Sequence, residues 1–157
     1  MRRGAIAALA LAVLGAAAGS SLSFVDLDGR TVELTAPSGP EVLVVHFWAT
    51  WCPDCVKELA GLSRATRACE GTPVRVLAVD VGEEAVQVRE FLAAHPVDLT
   101  ILRDAHGEVW RRSVGGTGLP ANLVWTNAGE RIAIGPRAPA DWQRELARLG
   151  CAERTPM

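Results

Sequence analysis

At 157 residues, 49% of them hydrophobic, the chain is long enough for one domain with a substantial buried core and short for two. A net charge of −2, from 16 basic and 18 acidic residues, comes without any basic run interleaved with aromatics. Such a chain offers no surface for a phosphate backbone, so nucleic acid is not an expected partner.

Arg2 and Arg3 precede an apolar run from Gly4 to Ala18, followed by Gly19-Ser20-Ser21. The order positive, apolar, small is that of a secretory signal, and Ala16-x-Ala18 fits a cleavage site. The run is mostly alanine and falls short of the roughly 20 apolar residues a spanning helix needs. Residues 1–19 are therefore expected to be a signal peptide or, if retained, an N-terminal anchor, with 20–157 as the folded domain. The expected location is periplasmic or otherwise extracytoplasmic, soluble after cleavage or tethered by that segment. Export also changes what four cysteines mean, since disulfides persist outside the cytoplasm.

Residues 22–34 predict a hairpin: Ser23 to Leu27, a turn at Asp28-Gly29, then Arg30 to Leu34. Pro37-Ser38-Gly39-Pro40 is a loop. Glu41 to Trp48 is nearly continuous in apolar residues, which suits a strand covered on both faces. A helix is predicted over 53–68, with Pro53 in its first turn and Asp54 complementing its N-terminus. A buried strand at 74–81, a helix at 83–94, a strand at 97–102 and a short helix at 104–112 follow. The glycine-rich loop 115–120 ends in Pro120. A hairpin of 121–126 and 131–134 and a last helix over 139–149 complete the chain. This order predicts an α/β fold, a mixed central sheet with helices on both faces and an N-terminal β-hairpin.

The chemistry concentrates in His46-Phe47-Trp48-Ala49-Thr50-Trp51-Cys52-Pro53-Asp54-Cys55. Cys52 stands where the strand turns into the helix, and the unpaired N–H groups and positive dipole there favour a thiolate. Cys55 lies one helical turn further in on the same side, so the pair can close into a disulfide with little backbone movement.

Phe47 to Cys55, Leu77-Ala78-Val79-Asp80 and Gly118-Leu119-Pro120, in that order after a hairpin, resemble the TlpA/ResA/DsbE-like branch of the thioredoxin superfamily. The likeness spans about residues 22–150. It implies a thioredoxin fold and an exported thiol–disulfide oxidoreductase, a reductant for cytochrome c maturation or copper-site assembly. Its substrates are protein disulfides, its electron donor a DsbD/CcdA-like membrane protein, and its only redox group the cysteine pair. By the same resemblance Cys52 is an exposed nucleophile, Cys55 the resolving thiol, and Pro120 the cis-proline facing them. Trp51, Pro53 and Leu119 border the substrate, Leu119 through backbone hydrogen bonds to an extended segment. The Ala121-Asn122 that follows departs from the branch and bears on substrate preference.

Glu58 matches a glutamate that the branch places near the buried thiol. Its reading is proton exchange with Cys55, against a solvated helix-face glutamate. His46 stands where relatives carry aspartate or asparagine, as a proton shuttle or a satisfied core histidine. Asp54, a carboxylate between two thiols, disfavours their thiolates and so tunes the pair towards donating electrons. In a thioredoxin fold the helix ending at Cys69 and the last helix share a sheet face, so a structural Cys69–Cys151 disulfide is expected, with two buried free thiols as the alternative. Two other functions fit the residues less well. Copper or zinc binding by Cys52, Cys55 and His46 has no Met-rich or His-rich tract behind it, and no metal is expected. A peroxiredoxin would need a threonine at Ala49 and a proline at Val45.

Overall fold

A computed structural model describes residues 21–129 and 131–152. The expected signal or anchor at 1–19 lies outside them. Among the described residues no helix is long and apolar enough to cross a membrane.

The run before the cysteines forms the central strand β3 (Val42–Trp48). It pairs in parallel with β4 (Val74–Val81) and antiparallel with β6 (Ala121–Thr126). Outside β4 come β5 (Thr100–Asp104) and the hairpin β1 (Ser21–Val25) and β2 (Thr31–Thr35), and β7 (Arg131–Ile134) closes the other edge. The sheet order is β2-β1-β5-β4-β3-β6-β7. Because side chains alternate along a strand, β3 feeds two cores. Leu43, Val45 and Phe47 pack with Leu77, Val79, Leu123 and Trp125 beneath helix α3 (Glu108–Val114). Val44 meets Leu62 of α1 (Pro53–Ala65) and Trp142 and Leu146 of α4 (Trp142–Leu149) on the opposite face. Trp48 and Ala78 meet Cys55 and Leu59 of α1 and Val88 of α2 (Ala85–Ala94) on that same side.

Several boundaries differ from those predicted. The hairpin turn is not a two-residue Asp28-Gly29 turn, because the last strand pair is Val25 with Thr31. The Asp26 carboxylate accepts from the N–H groups of Asp28 and Arg30, both at 2.8 Å, and so organises residues 26–30. β5 begins later and ends at Asp104, whose carboxylate accepts from the N–H groups of Glu108 (3.0 Å) and Trp110 (2.8 Å). Spent in this way, Asp104 precedes α3 rather than starting it. α1 tightens into a 3₁₀ turn at Thr66–Cys69, and α4 starts at Trp142 rather than Pro139.

One glycine has a packing role. A Cβ on Gly61, in the middle of α1, would fall 2.5 Å from Pro139 Cα. Its absence lets the segment before α4 lie directly on α1, which brings Trp142 over the active-site helix. At the far end of the same pair of helices Cys69 and Cys151 form a disulfide, with Cα atoms 4.4 Å apart. The Ala152 N–H donates to the Ala68 carbonyl at 3.0 Å beside it.

Candidate active site

Cys52 is the N-cap of α1, in an extended conformation, and Pro53 takes the first helical position. The Cys52 sulfur accepts from the Cys55 N–H at 3.2 Å, which uses one of the helix's unpaired donors. Cys52 and Cys55 are joined as a disulfide with Cα atoms 5.2 Å apart. Cys52 is only 6% exposed and Cys55 0%. Cys52, expected to be exposed, is therefore nearly buried, because Trp48 and Leu119 pack around the pair. The residue that stands into solvent is Trp51, 68% exposed, with Pro53 also exposed beyond the cysteine.

The Leu119–Pro120 peptide bond is cis. It comes from the loop before β6, and the Leu119 carbonyl oxygen lies 3.7 Å from Cys52 Sγ. A cavity of about 320 Å³ opens alongside, lined by Val114, Gly118, Leu119, Pro120, Ala121 and Pro136 among others.

Beneath the pair sits a buried polar network. Register places His46 of β3 directly beside Asn122 of β6 on the face under α1. His46 Nδ1 and Asn122 Oδ1 are 2.8 Å apart, and Asn122 Nδ2 donates to Glu58 Oε1 at 2.8 Å. Trp142 Nε1 donates to the same carboxylate oxygen at 3.2 Å. Asn122 Nδ2 also faces the Gly135 carbonyl at 3.3 Å, which only accepts, and this fixes the amide's orientation. Nδ1 of His46 then carries the ring proton. Nε2, buried, has no hydrogen bond of acceptable geometry, although the Cys55 backbone is close enough to favour a protonated ring.

Glu58 is thus not a solvated helix-face residue: it is 2% exposed. Burial raises its pKa, while Asn122, the Arg137 backbone N–H, Trp142 and the Arg137 charge hold the rise in check. Burial lowers the His46 pKa from 6.5 to about 4, against hydrogen bonds that favour the charged form. An unfolded chain therefore binds a proton at this position before the folded one does. The stability that neutral His46 contributes is complete above pH 6.5 and is lost as pH falls towards 4, a span worth about 3 kcal/mol. Glu58, raised, works in the opposite sense over part of that range. The expected result is that His46→Leu loses less stability than wild type between pH 7 and 4 in urea unfolding. Parallel curves for the two proteins would contradict this account.

Asp54 projects into solvent with its side chain 81% exposed and pairs with Lys57 at 3.4 Å. On the other side of the cysteines a second polar cluster holds Thr50. Glu83, in the β4–α2 loop, accepts from the Thr50 N–H and the Thr50 hydroxyl, each at 2.6 Å. Asp80, fully buried at the end of β4, accepts from the Glu83 N–H at 3.1 Å.

The structure thus gathers Cys52, Cys55, Glu58, His46, Trp51, Pro53, Leu119 and Pro120 in one region, leaves Asp54 at its rim, and puts Cys69 and Cys151 elsewhere. Sequence reasoning assigned no site role to Trp142, Asp80 or Glu83. For Asp80 a signal existed, a carboxylate at the end of an otherwise apolar strand. Asn122 was read as bearing on substrate, yet its side chain points inward and is 0% exposed.

A cysteine pair at the head of a helix, on a mixed sheet with a cis-proline loop opposite, defines a thioredoxin-fold protein. The chain belongs to the AhpC/TSA family, whose profile matches residues 15–118. It is similar to the thiol-disulfide oxidoreductase ResA of Geobacillus thermodenitrificans, 33% identical over 126 residues, covering 79% of this chain and 71% of that one. ResA of Bacillus subtilis is 30% identical over 84 residues, covering 54% of this chain, which spans 46% of that relative, about half its length. Among solved structures, a thiol:disulfide interchange protein of the thioredoxin family from Chlorobium tepidum TLS superposes with a TM-score of 0.66 at 25% identity, over 84% of this chain and 95% of that one.

Proposed function

We propose that this protein is an exported thiol–disulfide oxidoreductase that reduces protein disulfides outside the cytoplasm through Cys52 and Cys55, with no further cofactor. The observation that carries the reading is the asymmetry of the pair. Cys52 caps the helix beside Leu119 and Pro120 and retains some exposure, whereas Cys55 has none. A sulfur at the surface can be attacked and can attack; a sealed one can only resolve. The arginine-led apolar N-terminus supports export. Cytochrome c maturation or copper-site assembly, and a DsbD/CcdA-like membrane donor, follow from the resemblance to the TlpA/ResA/DsbE-like branch. Exchange is favoured over peroxide chemistry because Ala49 offers no hydroxyl three residues before Cys52, and the hydroxyl of Thr50 is engaged by Glu83.

Direction is tested by equilibrating the protein with glutathione buffers and measuring the reduced fraction. A reductant should lie below roughly −220 mV, and a value near −120 mV, that of a strong oxidant, would overturn the assignment. Asp54→Asn removes a negative charge carried at the rim of the site, between the two cysteines in sequence, and should make the pair more oxidising. Exposure and Lys57 weaken that lever, so the expected shift is small, on the order of 10 mV. A shift in the reducing direction would remove Asp54 from the tuning of the site.

A further inference from the structure

Thr50, two residues before Cys52, is gripped by one carboxylate through both its backbone N–H and its hydroxyl, each at 2.6 Å. The gripping residue, Glu83, is itself fixed along its backbone. Its N–H donates to Asp80 Oδ1 at 3.1 Å, and its carbonyl accepts from Arg103 Nη1 at 3.1 Å. Just before it, Gly82 has a φ of +83° and its N–H donates to the Asp104 carbonyl at 3.1 Å, which turns the chain sharply out of β4. The next residue, Glu84, caps α2 in a reciprocal box with Gln87, so helix capping makes no demand on Glu83. These contacts hold the backbone of Glu83 in place and leave its carboxylate to Thr50.

We propose that Glu83, anchored by Asp80 and Arg103, is a positioning residue that fixes the Thr50–Cys52 segment for attack on a disulfide. The proposal rests on the exchange reaction inferred above and adds to it the group that presents the nucleophile. Cys52 is pinned on its C-terminal side as the helix N-cap, and its N–H donates to the Ala49 carbonyl at 3.2 Å. Glu83 pins the N-terminal side at Thr50. The residue between them, Trp51, is left to stand out at 68% exposure. The sulfur is thus held from both ends while its aromatic neighbour meets the substrate. Reacting groups must be held to fractions of an ångström, so loosening one end should slow attack without dismantling the pair.

The groups facing Glu83 give the clamp a pH dependence. They are Asp80 from β4, Thr50 from the active-site loop and Arg103 from β5; the Asp104 carboxylate is taken up by the first turn of α3. Asp80 Oδ2 is buried and meets no donor, which disfavours its charged form. Burial, with the side chain and charge of Glu83, raises the Asp80 pKa to about 8, while the Glu83 backbone N–H and Arg103 oppose the rise. Glu83 stays low, since the hydrogen bonds from Asp80 and Thr50 outweigh its burial. Loss of the Asp80 proton puts two negative charges side by side and weakens the hold on Thr50.

Two measurements on the full chain test this. The Thr50 amide, followed by NMR in the disulfide form from pH 6.5 to 9.5, should titrate near pH 8 in wild type and stay unmoved in Asp80→Asn. Glu83→Ala should lower kcat/KM for reduction of a peptide disulfide at pH 7 by roughly tenfold to a hundredfold. Glu83→Gln, which keeps an acceptor for Thr50, should recover most of that loss. A Glu83→Ala protein with undiminished kcat/KM overturns the proposal, whereas a wild-type Thr50 amide that does not titrate removes only the pH dependence. If Glu83→Ala does not fold, Thr50→Val, which loses the gripped hydroxyl, decides on the same kcat/KM. The amide titration needs no substrate, so absence of exchange activity would count against the proposed function and not against the clamp.

Discussion

Cys52→Ser should reduce a peptide disulfide no faster than buffer thiols do, a loss on the order of 10³-fold or more, while Cys55→Ala should accumulate on its substrates. Both results follow from one sequence of bonds. In the proposed reaction the Cys52 thiolate attacks a substrate disulfide, forming a Cys52–substrate bond and releasing one substrate sulfur as a thiol once it takes a proton. Cys55 then attacks Cys52 Sγ, the mixed disulfide breaks, and the second substrate sulfur leaves with the bonding electron pair and takes a proton. Two electrons have passed from the dithiol to the substrate, and the Cys52–Cys55 disulfide remains. Cys55, 0% exposed, cannot make the first attack on a protein, which is why the two variants should differ in kind. The check is insulin reduction for Cys52→Ser, and mass analysis of non-reduced adducts from Cys55→Ala in the native host. Insulin reduction that survives Cys52→Ser would end the assignment of roles.

The second attack has to dispose of a proton from a thiol sealed away from water. In the proposed reaction Glu58, whose pKa is raised by burial, would be the better acceptor beneath the pair, since burial lowers the His46 pKa to about 4 and keeps the ring neutral. The Glu58 carboxylate is 3.7 Å from His46 Nδ1, and Nε2 of that ring has no hydrogen-bond partner. His46 is fully buried with Nδ1 engaged by Asn122, as a core histidine would be. One ring nitrogen is satisfied and the other is not.

What the sequence made legible was local or punctuated. The dithiol at a strand-to-helix junction needs only one apolar run and one helix start, whereas Pro120 was placed opposite it by the resemblance to the TlpA/ResA/DsbE-like branch. What escaped was set by register and by packing between distant elements. His46 and Asn122 are neighbours because β3 and β6 pair antiparallel in one register, and a one-residue slip would turn one of the two side chains to the other face. Trp142 reaches Glu58 because Gly61 admits the chain at Pro139, a contact that no periodicity in α4 encodes. Thr50 and Glu83 meet because parallel pairing of β3 and β4 brings the two strand ends to one edge of the sheet. Thus the reactive atoms could be named from the sequence, while the residues that surround them depended on the tertiary arrangement.

Removing both Cys69 and Cys151 should have the largest effect on stability. Their bridge joins positions 82 residues apart, and closing a loop of that length in the unfolded chain is worth about 4–5 kcal/mol in the chain-entropy model. Against a typical total of about 5–15 kcal/mol, that is a large share. The replacement should be Cys69→Ala with Cys151→Ala, since both sulfurs are buried among Leu62, Val74 and Leu146 and serine would add unpaired hydroxyls there. A urea midpoint close to that of wild type would show that the bridge contributes little. The effect should also reach the active site. The disulfide ties the end of the α1 segment to the end of α4, and α4 carries Trp142 onto Glu58. A looser α4 would expose Glu58 to water, remove the cause of its raised pKa and weaken the network under Cys55 before the fold itself is lost.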